Sequence, residues 1–117
     1  MVIIEMSMKL GFYTSGAGRS YIEYFLNQLP KNDRATILSV FEDIKQFGLS
    51  AIGCQFRHME GKLWEIKIKT QSGGYRFFYV LLDHETMMVL HAYKKQGQKT
   101  PIHELDIARK RLKEVLS

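Results

Sequence analysis

Residues 63–95, LWEIKIKTQSGGYRFFYVLLDHETMMVLHAYKK, decide the fold. The first segment alternates: Trp64, Ile66 and Ile68 fall on one side, Glu65, Lys67 and Lys69 on the other. A period of two is that of a strand with one buried face. TQSGG then reads as a turn, and YRFFYVLL is apolar on both faces, as a central strand is. DHET is a second turn and MMVLHAYKK a third strand. Connections this short join antiparallel neighbours, so a three-stranded meander is expected. Trp64 and the Phe77-Phe78 pair are expected in its core.

Upstream the period changes to that of helices. Ser20 and Glu23 in SYIE match a capping box, and a helix is expected from there to about Leu29, stopped by Pro30. A second helix follows from about Lys31. Its apolar residues Ile37, Val40, Phe41, Ile44 and Phe47 share one face, and Gly48 suits its C-terminal end. The short link between the two implies an antiparallel hairpin. Residues 7–13 read as a short N-terminal strand. After the meander, Thr100 is expected to cap a last helix with Pro101 in its first position. Leu105, Ala108, Leu112 and Val115 give that helix one apolar face. With no repeat and no linker, residues 1–117 read as a single α+β domain: a sheet, a helical hairpin on one face, and a C-terminal helix.

A chain of 117 residues supports one hydrophobic core. No apolar run approaches the roughly 20 residues of a membrane span. MVIIEM at the start is too short, and too interrupted by Glu5, for a signal peptide. Cys54, the single cysteine, has no disulfide partner and reads as a small packed side chain. No metal cluster is expected from it and the four histidines. A cytoplasmic protein without membrane partner, metal or cofactor is the expectation.

The net charge of +5 is unevenly spread. Residues 1–56 hold five cations and five anions, whereas residues 57–99 hold eight cations against four anions. The sheet gathers part of this excess. If the hairpin covers the Trp64-Ile66-Ile68 face, Lys67 and Lys69 project from an open one. Arg76, read as an exposed residue at a strand start, lies beside the turn after Lys69. The third strand runs antiparallel to the second and ends at the same place in Lys94 and Lys95. A basic patch of Lys69, Arg76, Lys94 and Lys95 is the result, with Tyr75, Tyr79, Tyr93 and His91 interleaved. Such a patch fits a polyanion, and the rings fit stacked bases. Edge protection by lysines and ordinary packing of aromatics account for the same pattern. His91, in an apolar strand, reads either as a packed histidine or as an acid/base group.

LWEIKIK, GGYRFFY and HAYKK followed by KTP together resemble the RelE/ParE toxin superfamily, in its phage-derived, HigB-like branch. The resemblance implies a toxin of a type II toxin–antitoxin pair: an endoribonuclease (mRNA interferase) that enters the ribosome, cuts mRNA and inhibits translation. The implied hydrolase chemistry is metal-independent, with the 2′-hydroxyl attacking the adjacent phosphate. By motif, Lys67, Arg76 and Lys95 fall where that family carries basic catalytic residues, with His91 a further candidate. Lys69, Tyr75, Tyr93, Lys94 and Lys99 are the expected RNA-binding residues. Two departures bear on proton transfer. Glu65 stands where RelE has a further lysine, and QKTPIHEL replaces a family tyrosine, leaving His91, Tyr93, Lys99 and His103 as acid/base candidates. The implied partners are the ribosome, mRNA and a cognate helix-turn-helix, HigA-like antitoxin. A ParE-like toxin that poisons DNA gyrase without cutting RNA is the alternative.

Overall fold

The computed structural model describes residues 7–117, and the MVIIEM segment lies outside them. In chain order the elements are β1 (Lys9–Phe12), α1 (Tyr21–Asn27), α2 (Lys31–Phe47), β2 (Gln55–Glu60), β3 (Leu63–Thr70), β4 (Gly73–Asp83), β5 (Thr86–Lys94) and α3 (Ile102–Leu116). A single 3-10 turn, Gly48–Ser50, follows α2. The strands form one sheet in the order β1-β5-β4-β3-β2. This is the expected α+β architecture.

Local chemistry sets the helix ends. Ser20 Oγ accepts the Glu23 backbone N–H at 3.3 Å and starts α1. The helix closes at Asn27, short of Leu29, because a residue before proline is driven out of the helical region. Pro30, at φ −53° and ψ 144°, turns the chain into α2. Gly48 ends α2 at φ +61°, a left-handed conformation that costs a residue without Cβ little.

Both faces of the sheet are covered. On one side Ile22 and Leu26 of α1 and Ile37, Phe41 and Ile44 of α2, the two helices read as a hairpin, pack on Ile66, Ile68, Tyr75, Phe77 and Tyr79. Phe41 meets the Phe77 ring edge-on at 5.0 Å. On the other side Leu105, Ala108 and Leu112 of α3 pack on Leu63, Phe78, Val80, Leu90 and Tyr93.

This second layer corrects the expectation of an open face. The apolar stripe of α3 has to be buried, and the β4 side chains opposite the hairpin are what it covers. Glu65, expected in solvent, is therefore fully enclosed, and Lys67 is half-buried. Trp64 is corrected the other way. It lies 36% exposed near the sheet edge, its ring packed edge-on against His58 at 5.0 Å.

Two features of the sheet go beyond the meander. β2 is an added antiparallel edge strand, joined to β3 through Gly61 at φ +49°. β1 forms the other edge and pairs parallel with β5, from Lys9 opposite Thr86 to Phe12 opposite Val89. The last helix starts at Ile102 with no side-chain cap, and the Thr100 hydroxyl accepts instead from Arg57 Nη2 at 3.4 Å. Among the described residues no helix is long and apolar enough to cross a membrane.

Candidate functional site

Strand register builds the site. Gln55, Lys67, Arg76 and Tyr93 face one another in a row across β2, β3, β4 and β5. The adjacent row on the same face is Arg57, Glu65, Phe78 and His91. Beyond β5 the Lys95 N–H still donates to the Gly74 carbonyl at 2.8 Å, which carries Lys95 over the end of β4. The segment from Lys95 to Thr100 then folds back towards Arg57.

Two cavities flank these cations. One, of about 220 Å³, is lined by Arg57, Lys67, Arg76, Tyr93, Lys95, Lys99 and Thr100. The other, of about 590 Å³, shares Lys67, Arg76 and Lys95 and adds Gly53, Cys54, Gln55, Lys69 and Gly74. Lys67, Arg76 and Lys95 thus form a ridge between a small cationic hollow and a larger, mixed one. A phosphate on the ridge would leave room for chain on both sides.

Gly74 makes the ridge possible. A Cβ there would stand 3.3 Å from Arg76 Nη1 and 3.8 Å from Lys95 Cβ. The missing side chain leaves the space that both long residues cross.

Behind the ridge lies Glu65. Its Oε1 is 3.2 Å from Arg57 Nη2 and 3.7 Å from Arg76 Nε. Burial pushes this carboxyl above its ordinary range, opposed by Arg57, Arg76, Lys67 and Lys95. Arg76 is only 8% exposed, which corrects its reading as a surface arginine. It is held between this carboxylate and the Tyr75 carbonyl, to which Nη1 donates at 3.2 Å.

The other expected site residues divide. Lys69 lines the larger cavity and Lys99 the smaller one. Lys94 points to the hairpin side, its Nζ 5.7 Å from the centre of the Tyr75 ring. Tyr75 is 1% exposed and donates its hydroxyl to Asp33 at 2.7 Å, so it offers no face to a base. Tyr93 is 8% exposed, its ring stacked on Phe78 at 5.8 Å. Burial raises its hydroxyl above the ordinary value, opposed by Thr100 and the Arg76 charge. What Tyr93 brings to the cleft is an O–H rather than a stacking plane.

His91 belongs to a different cluster. Its Nε2 meets Glu104 Oε2 at 3.1 Å, and Arg111 Nη1 approaches Nδ1 at 3.3 Å. Burial holds its protonation below the usual histidine range, against the opposing pull of Glu104. It lines a cavity beside α1, not the cationic cleft. His103 lies by a further hollow, with Lys94 and Glu104. Cys54 is half-buried at the wall of the larger cavity, and burial pushes its thiol up, away from a nucleophile's thiolate.

Sequence reasoning missed Arg57, Gln55 and Thr100. A signal for Arg57 was present: Arg57 and Glu65 are equidistant from Gly61. A tight turn there sets the two opposite charges face to face.

A sheet flanked by helices, with a cationic ridge at its strand ends, defines a small α+β protein with a basic cleft. The phage-derived Gp49-like family (DUF891) matches residues 24–113, and the chain belongs to that family, one associated with toxin–antitoxin toxins. No curated protein matches the chain.

Proposed function

We infer that this protein is the toxin of a type II toxin–antitoxin pair, of the RelE/ParE kind and HigB-like branch, and that it cuts mRNA on the translating ribosome. The observation that carries the reading is the convergence of Lys67, Arg76 and Lys95 with Arg57 and Lys99 around one cleft. Phosphodiester cleavage by a neighbouring hydroxyl builds negative charge on the phosphate oxygens, and preorganised cations stabilise that charge. In the proposed step the 2′-oxygen loses its proton and bonds to phosphorus. The P–O5′ bond breaks, and the 5′-oxygen takes up a proton. Arg76 presents a guanidinium that suits two phosphate oxygens, and Lys67 and Lys95 add point charges. Tyr93 is the acid/base candidate whose hydroxyl reaches the cleft; His91 is turned away from it.

The site supplies cations in quantity and few groups to move protons. That balance supports a role for the ribosome in orienting the 2′-hydroxyl, since orientation alone accounts for a large share of such barriers. The proposed partners are the ribosome, its mRNA and an antitoxin of helix-turn-helix type. Induced expression followed by primer extension on cellular mRNA, with and without translation, tests the reading. New 5′ ends that depend on translation are expected. Intact mRNA with altered DNA supercoiling would replace it with the gyrase alternative.

A further inference from the structure

Glu65 is enclosed beside two guanidinium groups, yet hydrogen-bonded to nothing. Among the described residues, its two carboxylate oxygens are buried side-chain polar atoms without a hydrogen-bond partner. The guanidinium groups at 3.2 Å and 3.7 Å are near enough to pair in charge but are not aimed to donate. Their donors are engaged loosely elsewhere: Arg57 Nη2 with Thr100 Oγ1 at 3.4 Å and Met59 Sδ at 3.5 Å, and Arg76 Nη1 with a backbone carbonyl at 3.2 Å. A guanidinium has about five N–H donors, so both arginines keep hydrogens to give. A buried pair that served only stability would be expected to close into full hydrogen bonds, since desolvated charge is costly without them. Here both arginines also line the cationic hollow.

We propose that Glu65 is a built-in rival of the substrate phosphate: it holds Arg57 and Arg76 at the cleft, and an entering RNA phosphodiester takes those guanidinium groups over. This rests on the reading of the cleft as an RNA site. Glu65 never touches the reacting atoms; it is a positioning residue. Its charge keeps neighbouring cations together in the empty site, where they would otherwise repel. Its lack of hydrogen bonds makes the handover easy, because little directional bonding has to break.

A consequence in proton counting follows. Once a phosphate claims the guanidinium groups, the carboxylate has lost its counter-charge and gained an anion as neighbour. Burial already favours its neutral form, so it takes up a proton. The groups facing it are Arg57 from β2, Lys67 from β3, Arg76 from β4, and Tyr93 and Lys95 from β5 and its extension. Arginine, lysine and tyrosine side chains as classes titrate well above neutrality. His91, next along the row, lies beyond Phe78 and is engaged by Glu104 and Arg111.

The test is calorimetry of the full chain with a single-stranded 2′-deoxy oligonucleotide, which cannot be cut by a 2′-hydroxyl. Binding is measured at low salt from pH 5.5 to 8, in buffers of different ionisation enthalpy. The wild type is expected to bind more tightly as pH falls, by up to about tenfold per unit, with uptake approaching one proton. Glu65→Gln is expected to bind with little dependence on pH and no such uptake. Glu60→Gln, which removes a charge from an exposed pair with Arg109, is expected to keep the wild-type profile. If Glu65→Gln does not fold, proton uptake by the wild type decides alone. Binding without uptake, or a pH slope that survives in Glu65→Gln, would overturn the proposal. Absence of binding would overturn it together with the RNA reading. Proton-linked binding by a protein that never cuts mRNA on ribosomes would overturn the nuclease reading only.

Discussion

Asp33, near the start of α2, accepts the Tyr75 hydroxyl of β4 at 2.7 Å, and Ser72 of the β3–β4 turn donates to the same oxygen. The pair ties α2 to the turn that leads into Gly74 and Arg76 at the start of β4. It explains why Tyr75 faces inward, and it has a pH signature. The hydrogen bonds from Ser72 and Tyr75 hold the Asp33 carboxyl below the usual carboxylate range. A depressed folded value means stability present above the unfolded value of about 4 and lost as pH falls through the folded one. Urea denaturation from pH 7 to pH 2 should show this loss, and Asp33→Asn should remove part of it. An unchanged acid profile in the variant would assign the loss to other carboxylates.

Lys95→Ala should lower mRNA cleavage by roughly 10²-fold while leaving the fold intact, the size expected for one donor to developing charge. Lys69→Ala, at the outer wall of the larger cavity, should lower it less. Arg76→Ala is a different experiment. Removing a nearly buried arginine leaves Arg57 as the one guanidinium beside Glu65, so a loss of stability is expected together with the loss of activity. Melting temperatures measured beside the cleavage rates separate the two effects. A stable Lys95→Ala protein with parental activity would remove Lys95 from the site.

Gly74→Ala should keep the melting temperature within a few degrees and still cost several-fold in activity. The new methyl group would press on the tip of Arg76, which is flexible and can swing aside, so folding tolerates it. The guanidinium would no longer stand over the ridge. Full activity would show that Arg76 works from a different position.

The cleft also makes a prediction about the antitoxin. If the partner covers the cations directly, reversing Lys95 and Lys99 to glutamate should weaken the complex by orders of magnitude, most visibly at low salt. Lys94→Glu, which faces the hairpin side, should matter less. Affinities from titrations of the cognate antitoxin against each variant give the answer. Unchanged affinity with toxicity still neutralised would leave exclusion from the ribosome by bulk.

How far the sequence could be read depended on which pattern each element carries. The alternation of Trp64 to Lys69 and the doubly apolar run of β4 announce strands, and the spacing from Ile37 to Phe47 announces α2. β2 carries no such mark. QFRHME is an edge strand without a fully buried residue, so no apolar period singles it out. Missing β2 meant missing Arg57, and with it the reason Glu65 can be buried. The destination of α3 was hidden for another reason. An amphipathic helix shows that it must cover something, but only the assembled sheet shows which face is uncovered. That is why Lys67 and Lys95 were legible as a cationic cluster while Trp64, Glu65 and Tyr75 were placed on the wrong side of the boundary with solvent.

The parallel edge pairing of β1 sets the order in which this chain can fold. β2 to β5 are joined by short turns, so their ladders form from neighbours in sequence and can form early. β1 must instead wait for β5, because Lys9 pairs with Thr86 and Phe12 with Val89. β1 is therefore among the last strands to be docked. During synthesis the N-terminal strand and the hairpin emerge long before the surface they need, and the sheet closes only when β5 is clear of the ribosome. Lys95, Lys99 and Thr100 emerge later still, so the cationic cleft cannot exist on a nascent chain that has not yet delivered them.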